Sequence, residues 1–136
     1  MEALIAILIF SFGILGLVSA QAAAIKKAAD AKLRSDASYL AGQIIGWMWV
    51  DRANLANYAH LQGGSIYNFT GRPAPSTNVT EWLGSANQAG TVGNLPNGAA
   101  QILVDTSTNM ITVTVCWRAP QETETHNHSS TALISG

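Results

Sequence analysis

The sequence holds 136 residues with seven Lys and Arg against eight Asp and Glu, a formal net charge of −1. That balance argues against nucleic acid and against an acidic substrate as partner, and the length leaves room for one domain. Only 11% of the residues are charged, against about 25% in a typical soluble domain, and the shortfall is concentrated at the start of the chain.

Residues 3–25 carry only three polar side chains, Ser11, Ser19 and Gln21. At about 1.5 Å per residue a helix of this length spans roughly 34 Å, enough for a bilayer core. Gly13 and Gly16 interrupt the large apolar side chains, as glycine does in helices that pack closely on other helices. A cleaved secretory signal would fit the small residues Val18-Ser19-Ala20, but its leading segment should be basic and here contains only Glu2. An ordinary single-pass anchor meets a different conflict. The basic flank (Lys26, Lys27, Lys32, Arg34) follows the span and would set that side in the cytoplasm. Glu2 must reach the interface, lose its charge or find a positive partner.

The pattern continues past the apolar block. Ile25, Ala29, Leu33, Ala37, Leu40, Ile44, Met48 and Leu55 recur at mostly three- or four-residue steps, an apolar stripe on a helix. With no proline before Pro73, the spacing predicts one helix over residues 3–57. Trp47 and Trp49 point to nearly opposite faces, one toward a core and the other free to meet a neighbour. Residues 62–75, with Gly63, Gly64, Gly71, Pro73 and Pro75, read as a surface loop. A short helix is expected within 76–88, capped by Thr77 or Asn78 with Glu81 near its first turn. Leu95-Pro96-Asn97-Gly98 reads as a turn. Residues 100–104 and 110–118 form the clearest hairpin, bending at 105–109. In its second strand Ile111, Val113, Val115 and Trp117 alternate with Thr112, Thr114, Cys116 and Arg118. A third strand is expected near 130–134, after a polar stretch over 121–129.

The expected fold is therefore α+β: a long N-terminal helix packed on a small antiparallel sheet of three to four strands. Residues 1–25 form its membrane half, 26–57 its amphipathic half, 58–99 a connecting loop with a short helix, and 100–136 the sheet. Leu40, Ile44, Ile111, Val113, Val115 and Trp117 are the expected core.

Chemistry-bearing patterns are few. Cys116 is the only cysteine, so no internal disulfide forms, and its strand position suits a small buried side chain. His126 and His128 flank Asn127 in an expected hydrophilic loop without a third ligand. Asp105, Ser107 and Asn109 have the spacing that opens a calcium loop. Met110 stands where its glycine belongs and Cys116 where its glutamate belongs. No nucleophile, phosphate loop or paired carboxylates stand out, so neither enzyme activity, a metal nor a cofactor is expected.

The opening stretch from Met1 to Leu17 resembles the start of type IV prepilins, and its paired glycines, Phe12-Gly13-Ile14-Leu15-Gly16-Leu17, are most similar to PilV-type minor pilins. Leu95-Pro96-Asn97-Gly98 and Thr112-Val113-Thr114-Val115-Cys116-Trp117 are similar to later stretches of that family. In the family a short basic leader, and then three residues of mature chain, precede the position matched by Met1. The resemblance implies a pilus structural subunit that helps initiate or cap the filament, with a part in adhesion and motility. It also implies processing by a prepilin peptidase, residence in the bacterial inner membrane and then in an extracellular filament, and other major and minor pilins as partners. Glu2 would pair with the N-terminal amine of a neighbouring subunit. A pseudopilin of type II secretion and a membrane-tethered periplasmic binding domain are the alternatives.

Overall fold

The structure, a computed structural model, describes residues 1–71 and 76–135. Pro73 and Pro75 of the expected loop lie outside them. The chain divides into two units, Met1–Lys32 and Leu33–Gly136. It is α+β: one long helix, a three-stranded antiparallel sheet and a two-stranded one.

Helix α1 runs from Glu2 to Val50 without interruption. Its many alanines and leucines favour it, no proline breaks it, and Glu2 in the first turn complements the positive end of the helix dipole. The helix stops seven residues earlier than its periodicity predicts, because local side-chain bonds compete with the backbone ladder. Asp51 leaves helical geometry at φ −107° and ψ 37°, and Asn54 lies at φ −117°. The Asn54 amide donates to Asp51 Oδ1 at 2.7 Å and the Tyr58 hydroxyl to Asp51 Oδ2 at 3.2 Å. The chain continues as a 3-10 helix over Arg52–Tyr58. Its tighter turn aligns residues three apart, and Leu55 and Tyr58 are both buried.

From residue 33 onward α1 presents one face to the core. Ala37, Leu40, Ala41, Ile44 and Met48 are buried along it. Ile25 and Ala29, which continue the same stripe in sequence, are exposed. Strands β3 (Ala99–Asp105), β4 (Met110–Trp117) and β5 (His126–Leu133) are ordered β3-β4-β5, with β1 (Gly63–Ser65) and β2 (Asn68–Thr70) preceding them in the chain. Ala100 pairs with Val115, Ile102 with Val113 and Val104 with Ile111, so one face gathers the large aliphatic side chains. Ile111, Val113, Val115 and Trp117 are fully buried beside Leu40 and Ile44.

Two expectations of strand and loop are corrected. The third strand begins at His126 rather than near residue 130, because the alternation of its burial is carried by polar residues. The stretch read as a loop contains a short hairpin, β1 (Gly63–Ser65) with β2 (Asn68–Thr70). Gly64, at φ +88°, permits this pairing, since a Cβ there would collide with the Asn68 carbonyl. The hairpin is tied beside β3: the Gln101 amide donates to the Leu61 carbonyl at 2.7 Å, and His60 bridges to Ile102.

Helix α2 spans Thr77–Leu83, and its cap is Ser76 rather than Thr77 or Asn78. The Val79 amide donates to Ser76 Oγ at 3.4 Å. Gly84, at φ +61°, ends the helix, which lies within the expected range 76–88. Val79 and Trp82 are buried, and the Trp82 indole donates to the Leu40 carbonyl at 2.8 Å.

Candidate functional site: the exposed apolar half of α1

The first half of α1 is apolar on every side. Phe10 is 70% exposed and Ile25 71%, and Leu4, Leu8, Phe12, Leu15 and Leu17 are exposed too. A water-facing helix would show one polar face, and this one does not. The helix is long and apolar enough to cross a membrane. Ser11 adds little polarity, because its hydroxyl donates to the Ile7 carbonyl at 2.8 Å. At Gly13 and Gly16 an added Cβ would meet nothing within 4 Å. The two residues sit three apart, so together they open a shallow notch on one side of the helix. Glu2 stands at the head of this surface in the first turn.

The remaining candidates fall elsewhere. Trp47 packs partly against the core, while Trp49 is 43% exposed. His126 and His128 lie on β5 and not in a loop, which corrects the expected placement. His126 Nε2 is 2.9 Å from Glu122 Oε2, and its ring stacks on Trp117 at 5.9 Å between centroids. His128 Nε2 is 3.0 Å from Ser130 Oγ. Among the described residues no three His, Cys, Asp or Glu side chains gather in a metal-binding group. Asp105 Oδ1 instead holds the bend of the β3–β4 hairpin, accepting from the Ser107 hydroxyl and amide. Those bonds, the hydroxyl foremost, lower the pKa of its carboxyl group. Cys116 is fully buried, and burial pushes its thiol pKa up while the Tyr67 amide donates to its sulfur.

One arrangement has no signal in the sequence. The Asn78 amide donates to the Tyr58 hydroxyl at 2.8 Å, which links α2 to the Asp51 network beyond the end of α1. Its outermost members, Asp51 and Asn78, are 27 residues apart in the chain, and the members share no motif. His60 is another: it is nearly buried, its Nδ1 has no partner, and burial lowers its pKa.

Comparison with protein-family models, with curated proteins and with solved structures finds no match to this chain.

Proposed function

We propose that the chain is a structural subunit of a type IV pilus, of the PilV-type minor-pilin kind that helps initiate or cap the filament. The observation that carries this reading is the junction, in one uninterrupted helix, of two different surfaces. Residues 2–25 are apolar all round with an acid at their head, and residues 37–48 back a small sheet.

A surface of the first kind is solvated by lipid acyl chains before assembly and by the equivalent helices of other major and minor pilins afterwards. The notch at Gly13 and Gly16 lets a neighbouring backbone approach. An ionised Glu2 in lipid costs several kcal/mol, and pairing it with the N-terminal amine of an adjacent subunit relieves part of that cost. In this reading the chain starts in the inner membrane, is processed by a prepilin peptidase, and ends in an extracellular filament. It needs no catalytic group and no cofactor.

The test is Glu2→Ala in cells producing the chain from its own gene. The variant is expected to stay in the membrane fraction while its amount in sheared filaments falls by about tenfold or more, the effect of about 1.4 kcal/mol. Normal incorporation of the variant, or a mature protein that begins after Ala20, overturns the reading.

A further inference from the structure

A cleft of about 540 Å³ opens beyond the last turn of α1, lined by Trp47, Val50, Asp51, Tyr58, Asn78 and Glu81. Its internal hydrogen bonds consume donors. The Asn54 amide and the Tyr58 hydroxyl both donate to Asp51, and the Asn78 amide donates to Tyr58. The described lining holds two carboxylates, Asp51 and Glu81, and neither Lys nor Arg. Among the described residues Glu81 makes no hydrogen bond or ion pair. Arg52, the nearest cation in sequence, is not part of the lining. Two carboxylates beside two aromatic rings suit a guanidinium, which forks onto carboxylate and stacks on a ring.

The same sequence carries such a group. Arg34 is exposed on α1 and pairs with nothing among the described residues. Seventeen residues separate Arg34 from Asp51. An axial shift of about 26 Å between parallel copies therefore sets this basic side chain level with the acidic cleft. At 3.6 residues per turn Arg34 and Asp51 lie on different faces, as a head-to-tail contact requires, and such contacts propagate into helical arrays.

We infer that this cleft receives Arg34 of a second copy of the chain, staggered along the helix axis by about 26 Å. The inference rests on the filament-subunit reading and adds to it that the neighbour can be an identical chain.

The test is charge exchange at Arg34 and Glu81. Glu81 is chosen over Asp51 because it supports no other residue. Arg34→Glu and Glu81→Lys are each expected to lower incorporation into sheared filaments by about tenfold, as like charges meet, and the double variant to restore it to within about threefold of the parent. Circular dichroism of each detergent-purified variant checks that the fold is intact. In a Cys116→Ser background, co-produced Arg34→Cys and Glu81→Cys chains are expected to form a disulfide-linked dimer in filaments. Single variants that incorporate normally, or a double variant that stays defective with no cross-linked dimer, overturn the contact. If Glu2→Ala blocks incorporation while the exchanges have no effect, the pilus reading stands and this contact falls. If Glu2→Ala has no effect, both fall. Saturable n-butylammonium binding in detergent without any effect of the exchanges marks a small-cation site and likewise overturns the contact.

Discussion

Trp82 offers the sharpest test of how α2 is held. A helix of seven residues has little stability of its own, so α2 depends on the side chains it buries. Trp82 is 1% exposed and gives its indole proton to the Leu40 carbonyl at 2.8 Å. Trp82→Phe removes that donor but keeps most of the ring. Leu40 lies within α1, so its carbonyl has the helix ladder to bond with, and the loss is expected to be about 1 kcal/mol. Trp82→Ala also opens a cavity and is expected to cost about 3 to 5 kcal/mol. The assay is urea unfolding of the full chain in detergent, followed by near-ultraviolet circular dichroism. With a slope of about 2 kcal/mol per molar, the midpoint should fall by about 0.5 M for Phe and about 2 M for Ala. A loss above about 3 kcal/mol for Phe would show that the indole bond matters far more than its redundancy allows, and a loss below about 1 kcal/mol for Ala would show that α2 is not anchored by this side chain.

Burial lowers the pKa of His60, so the unfolded chain takes up the proton first. Its contribution to stability is fully present above the unfolded imidazole value of about 6.5 and declines as pH falls below it toward the folded value. His60→Gln is expected to flatten the urea midpoint against pH between about 7.5 and 5, and an unchanged slope would refute the assignment. Cys116, fully buried with its thiol pKa raised by burial, should react with a water-soluble disulfide reagent at least about a hundredfold faster in denaturant than in the native chain. Equal rates would place the sulfur at the surface.

The apolar half of α1 and its acid are legible in the sequence because membrane-scale hydropathy is a contiguous signal, uninterrupted by proline or charge. The β3–β4 hairpin is legible too, since Ile111, Val113, Val115 and Trp117 alternate with period two. The end of α1 is not, because Asp51 competes with the helix ladder through Tyr58, seven residues on. Strand β5 is legible only in its second half, because its inward residues, His128, Ser130 and Ala132, are small or polar, and it owes its full extent to pairing with β4. The β1–β2 hairpin turns at Ile66 and Tyr67, with Tyr67 at φ 70°, and not at the Asn-Gly pair that marks such turns. Its two glycines looked like loop and serve strand pairing. The cleft shares this obscurity: Trp47 and Glu81 belong to separate helices, and only folding makes them neighbours.

With its one sulfhydryl sealed inside the sheet, this fold has no covalent staple closing any of its loops. Passage from a reducing to an oxidising compartment therefore leaves its connectivity unchanged. Its resistance to unfolding rests on packing and hydrogen bonds alone, and refolding waits on no oxidase or isomerase of thiols.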